Sequence, residues 1–230
     1  MGVQQPTRRP PARIHEDVRV APPHGYEDRV RAELPLVVDW LHEYVSRPHP
    51  GLNRKGPVCP FVPAAMKSSA VRYHFRYEIT GQDRAELAGV LLRRLDAFSG
   101  APSGSDRTLD THLVVLPDLS ETGWTALDRA HADLKDAAVE RGLMIGQFHP
   151  ACDERSARNA AFRVSRAPIP LLAIRRMAPH DVLFLHHDPR WFAHYRKRFA
   201  ADYETGLITD RLMRTLYARA EPRHDPAGNN

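Results

Sequence analysis

Gly142-Leu-Met-Ile-Gly-Gln-Phe-His149-Pro150 is the stretch on which the reading of this chain turns. A glycine followed by six mostly apolar residues makes a short buried strand, and such a strand delivers the residues after it to the rim of a sheet. Those residues are polar and dense. His149 is titratable and able to ligate a metal, Pro150 fixes the backbone behind it, and Cys152, Arg155 and Arg158 come next. The two arginines, three apart, face one way if the segment turns helical. A strand-end histidine commonly does no more than bond a neighbouring carbonyl. Even so, this is the chain's best candidate for a site.

Working back from that strand, Trp124, Leu127, His131, Leu134 and Ala138 keep a three-four rhythm, a helix that Thr122 can cap and Gly142 closes. Thr111-His-Leu-Val-Val-Leu116 is a strand ended by Pro117. A helix over about 82–98 turns Leu87, Val90, Leu91 and Leu95 inward. Val71, Tyr73, Phe75, Tyr77 and Ile79 alternate with Arg72, His74, Arg76 and Glu78, the clearest half-buried strand of the chain. Upstream lie a turn-rich connector with Cys59-Pro60-Phe61 and an amphipathic helix over about 27–45 that contains Pro35. Downstream, Pro168 to Ile174 reads as a strand whose prolines favour an edge or a strand start. Asp188-Pro189 opens a helix carrying Trp191, Phe192, Tyr195 and Phe199, and a last helix over about 205–220 buries Ile208, Leu212 and Leu216. This order predicts an α+β (or α/β) fold: one domain over 25–220, a mixed sheet of about four or more strands with helices packed on it, a disordered lead over 1–24 and a disordered tail over 221–230. The near-continuous apolar run at 143–148 predicts that this strand lies inside the sheet.

Composition narrows the function classes. Two cysteines, Cys59 and Cys152, are too few for a disulfide framework and lack paired zinc spacing, so free thiols in a reducing cytoplasm are expected, Cys152 the more reactive if it lies beside His149. No apolar run is long enough for a membrane span, and the start lacks the core of a secretory signal. The net charge of +5 comes from 33 basic residues, only four of them lysine, scattered among acids rather than gathered on one face, which argues against nucleic acid. No phosphate loop, nucleophile elbow or His-Glu-x-x-His motif is present.

Cys59-Pro60-Phe61, the strand Val71 to Glu78, Thr111-His-Leu-Val-Val-Leu-Pro, Phe148-His149-Pro150, and Asn159 through Arg166-Ala-Pro-Ile-Pro to Arg175 occur in the order of an uncharacterised domain-of-unknown-function family with CPF and FHP motifs and an R-S-P-x-P strand, which the chain resembles over roughly residues 57–200. More distantly, Met144-Ile-Gly-Gln-Phe-His149-Pro150 with Arg158 downstream resembles the glycine-x-His-Pro-x-Ser-x-Arg segment of YqcI/YcgG-type proteins, some of which are heme-dependent N-oxygenases. That resemblance implies a heme-dependent oxygenase or oxidoreductase acting on a small amine- or guanidine-bearing metabolite in specialised metabolism.

Such an enzyme needs an axial ligand, an apolar slot and cations for the propionates. The chain offers His149 as ligand, Phe148, Phe162, Leu171 and Trp191 as slot, and Arg158, Arg166 and Arg175 as propionate partners. Adjacent His186 and His187 are another metal candidate, although consecutive side chains point apart on a regular element. The alternative is a cofactor-free protein whose arginines hold a carboxylate or phosphate of a small-molecule ligand.

Overall fold

In the computed structural model, residues 13–14, 25–100 and 108–221 are described. Seven strands are β1 (Arg13–Ile14), β2 (Val71–Phe75), β3 (Thr111–Val115), β4 (Leu143–Phe148), β5 (Arg155–Ser156), β6 (Asn159–Arg163) and β7 (Leu171–Arg176) among the described residues. Five of them form one mixed sheet in the order β1-β2-β3-β7-β4. β1, β2 and β3 run parallel, and β7 is antiparallel to both of its neighbours. β5 and β6 form a separate hairpin. The helices are α1 (Tyr26–Trp40), α2 (Val62–Lys67), α3 (Arg84–Ser99), α4 (Glu121–Glu140), α5 (Val182–Leu185), α6 (Pro189–Glu204) and α7 (Arg211–Ala220). The molecule is a single mixed α+β domain, as its sequence predicts. No helix among the described residues is long and apolar enough to cross a membrane.

Side chains alternate across the sheet and build two cores. On one face Tyr73, Phe75, Leu113, Val115 and Leu171 pack against α1 and α2. On the other Val114, Leu172, Ile174, Leu143 and Ile145 pack against α3 and α4. A third cluster joins Met144 to Val182, Phe192, Tyr195 and Met213 of α5 to α7.

Several expectations need correction. β4 is the last strand of the sheet, not an interior one. Its apolar run has another cause: Leu143 and Ile145 pack under α3 and α4, Met144 packs against α5 to α7, and His131 of α4 donates from Nε2 to the Ile145 carbonyl at 3.3 Å, so the strand is covered and looks interior in sequence. β2 stops at Phe75. Glu78 has φ +67, and Tyr77 and Ile79 stay buried on an irregular path. Of the two readings of Pro168 and Pro170, the strand start holds and the edge does not: both precede β7, which is an inner strand. α7 starts late because Asp210 caps it, and it buries Met213 and Tyr217 while Leu212 and Leu216 are half-buried. Arg155 and Arg158 lie in and beside a hairpin rather than on one face of a helix. Arg13–Ile14 joins the sheet beside β2, whereas the rest of 1–24, most of the 99–106 loop and residues 222–230 lie outside the described residues.

Candidate functional site

The register of β4 on β7 sets Gly146 opposite Ala173, the two smallest side chains of either strand, between the larger pairs Phe148 with Leu171 and Met144 with Arg175. Small residues at facing positions leave a hollow, and here the hollow is roofed rather than filled. Its walls include the end of α1, where the helix widens into a π turn over Leu41–Val45, the 54–62 connector, and the hairpin. Three long-range bonds hold that roof: Tyr44 Oη donates to the Val164 carbonyl at 3.0 Å, Asn159 Nδ2 to the Gly51 carbonyl at 2.7 Å, and Arg158 Nη2 to Asp210 at 2.9 Å. The result is a cavity of about 950 Å³, in the range of small-molecule sites.

The structure divides the residues grouped by sequence. Phe148, Arg158 and Arg175 line this cavity, as do Leu171 and Trp191. Arg166 is exposed and lines a separate groove of about 620 Å³ with Trp40, Tyr44 and Phe162. His149 obeys the alternation of β4 and turns to the opposite face, where its ring stacks on Trp124 of α4 at 5.3 Å and Nε2 faces Asp128 Oδ1 at 3.2 Å. His149 and the cavity therefore stand on opposite sides of one strand. Arg175 is committed within the protein: its two Nη atoms reach Asp181 at 2.7 and 2.6 Å, and Asp181 also accepts from the Ala178 N–H at 2.7 Å. Burial alone would push the Asp181 carboxyl up, but the paired guanidinium holds it below its ordinary value. A heme held by His149, with Arg158, Arg166 and Arg175 gathered on its propionates, does not fit this arrangement. His186 Nδ1 lies 2.9 Å from the Val182 carbonyl, and only His187 of that pair lines the cavity.

Sequence reasoning passed over Lys135. It lies one turn beyond His131 on α4 and lines the cavity although the residue is only 8% exposed. Its ammonium sits 5.7 Å from the Trp191 ring centroid and makes no hydrogen bond or ion pair among the described residues. Burial lowers its pKa from the ordinary lysine value, against the pull of the more distant Asp181 and Glu154 carboxylates. His131 is pushed down to about 4, chiefly by burial, and is neutral at pH 7. Trp191 is held in place by its Nε1–H, which donates to Asp136 at 2.6 Å. The sequence signal was available: a lone lysine four residues after a histidine on the inward stripe of a helix. Around the cavity, Arg54, Lys55, Lys135, Arg155, Arg158 and Arg175 stand against only Glu154 and Asp210.

Behind β4 lies a second cluster. His149-Pro150-Ala-Cys152 makes a tight turn in which the Cys152 N–H donates to the His149 carbonyl at 3.1 Å. The turn sets both side chains beside Asp128, and ligand-capable atoms of all three lie within 4.8 Å of one another. Cys152 is 1% exposed and burial pushes its thiol up to about 11, which works against the expectation that it is the more reactive cysteine. Both cysteines are free, Cys59 being half-buried in the cavity lining.

A family model described as a domain of unknown function (DUF6875) matches residues 34–210, from α1 to the cap of α7. No curated protein and no solved structure matches the chain.

Proposed function

The chain belongs to the DUF6875 family, and we propose that its cavity binds a small molecule with an apolar body and a carboxylate or phosphate group, the anion seated against Lys135. The supporting observation is the buried ammonium that no carboxylate of the described residues reaches to neutralise. An uncompensated charge costs stability wherever it is taken out of water, so a protein that keeps one beside a preformed cavity has a use for it. Arg158, whose Nε is buried without a partner, offers a second donor, while the Gly146 and Ala173 floor and the Phe148 and Trp191 rings suit a flat apolar body. Arg175 serves the frame rather than the ligand, because Asp181 already neutralises it.

The test is calorimetric titration with a panel of aromatic and aliphatic carboxylates and phosphates, read alongside thermal unfolding. At least one anion should bind and raise the Tm, and its amide or alcohol analogue should bind at least tenfold more weakly. Lys135→Met should lose that binding and yet, without ligand, be more stable than the parent by on the order of 1 kcal/mol, because the buried unpaired charge is gone. Ala173→Leu, which fills the floor, should lose binding with Lys135 intact. Equal affinity for anions and their neutral analogues would overturn the proposal. So would a Soret absorption band in protein expressed with heme available, which would turn the cavity over to a porphyrin and the function towards the N-oxygenase chemistry of the YqcI/YcgG-type proteins.

A further inference from the structure

The cluster behind β4 is independent of the cavity and of any ligand in it. We propose that Asp128, His149 and Cys152 hold one divalent ion of the zinc class. Three residues with carboxylate, imidazole and thiol groups converge from two elements, α4 and the turn after β4, and their ligand-capable atoms already lie within 4.8 Å of one another. In a tetrahedral zinc site with bonds of roughly 2.0–2.3 Å, neighbouring ligand atoms sit roughly 3.3–3.6 Å apart. The observed 3.2 Å between His149 Nε2 and Asp128 Oδ1 already matches, so closing the site takes a shift of about 1 Å.

The second observation is His149 itself. The residue is 3% exposed, and its Nδ1 is buried with no hydrogen-bond partner. A buried polar atom left unpaired costs roughly 1–3 kcal/mol. Nε2, which faces Asp128, is the atom offered to the ion, and the neutral ring then keeps its proton on Nδ1. The stacked Trp124 ring fixes its plane. The turn adds a sequence rationale: Pro150 sets the second residue of the β-turn, and residues one and four of such a turn, His149 and Cys152, come to the same side. Binding is balanced by proton release: the Cys152 thiol gives its proton to solvent as the metal–sulfur bond forms. The Asp128 side chain is 43% exposed against 4% for His149, which gives the ion an entry path and leaves a fourth position open to water.

Untagged full-length protein stripped with a chelator is titrated with Zn²⁺ and Co²⁺. Binding of one equivalent per chain is expected, with a raised Tm and, for Co²⁺, a thiolate-to-metal charge-transfer band that no purely oxygen- or nitrogen-ligated ion gives. Cys152→Ser should abolish that band and weaken Zn²⁺ binding at least tenfold, and Asp128→Asn should weaken it with the band retained. His187→Ala, on the cavity side, should change neither. If Cys152→Ser does not fold, the Co²⁺ spectrum of the parent protein decides on its own. Binding that is substoichiometric, that lacks the charge-transfer band, or that survives Cys152→Ser unchanged overturns the proposal.

Discussion

Lys135 and Arg175 are both cations at the wall of one cavity, and a single carboxylate separates their roles. Arg175 has Asp181, fully buried and bonded to both Nη atoms, so the pair is neutral and serves the frame. Lys135 has no such partner among the described residues, which leaves its charge unpaired there. The two cysteines divide in the same way. Cys59 is half-buried in the cavity lining, whereas Cys152 is 1% exposed behind β4 with its thiol near 11. Thiolate formation and access both govern alkylation. Native protein treated with iodoacetamide should therefore be modified at Cys59 alone, with Cys152 reacting only after denaturation. Peptide mass mapping reads this directly, and rapid native labelling of Cys152 would refute it. An anion that occupies the cavity should slow the reaction at Cys59.

At the scale of elements, the site depends on where α4 starts, because that helix carries Asp128, His131 and Lys135. Its first turn packs on the loop after β2 through two glycines. Gly81, at φ +82, has no room for a side chain because a Cβ there would lie 2.6 Å from the Gly123 Cα. A Cβ on Gly123 would run into the Thr80 carbonyl and come within 2.9 Å of Leu119 Cδ1. Backbone cannot swing aside as a side chain does, so Gly123→Ala should cost about 1–3 kcal/mol in urea unfolding and weaken ligand binding at Lys135. Gly89→Ala in α3 makes the contrast: its Cβ meets only the mobile end of Arg93, and alanine's helix propensity should leave stability unchanged or raise it by up to about 1 kcal/mol. Equal losses in the two variants would show that glycine content, not the Gly81 and Gly123 contact, sets the position of α4.

For the whole molecule, the buried and paired titratable groups predict how stability falls with acid. The unfolded chain protonates His131 near pH 6.5, the folded chain only near pH 4. Between those values the unfolded state binds more protons, so stability drops as the pH falls across that window, by at most about 3 kcal/mol. Below it a second group of residues takes over. Asp118, bonded to Arg29, and Asp210, capping α7, have carboxyl pKa values held below the ordinary 3.8. The stability they contribute is present above that value and is lost as the pH falls through their folded-state pKa. Chemical unfolding at a series of pH values should show both stages. His131→Gln, which keeps a donor for the Ile145 carbonyl, should flatten the upper one and leave the lower one in place. An unchanged slope between pH 6.5 and 4 in that variant would assign the upper stage to another histidine.

The sequence alone determined the fold class and most elements, because local pattern carries that information. Strict alternation marked β2, the three-four rhythm marked α3 and α4, and Asp188-Pro189 marked the start of α6. It also brought out Phe148, Arg158 and Arg175, which do meet at one cavity. It could not place His149 behind β4 and Phe148 in front. Adjacent strand residues point to opposite faces, but which face is hollow depends on Gly146 meeting Ala173 across a register that no local pattern records. Nor could it show that β4 is a covered edge, since helices packed on both of its faces leave the same apolar run as burial between two strands. Whether a given cation is spent or available was decided only by tertiary structure: Asp181 comes six positions after Arg175 and neutralises it, and the fold brings no carboxylate of the described residues into bonding reach of Lys135. Charge pairing is a matter of distance in space, and the chain sets that distance only when it folds.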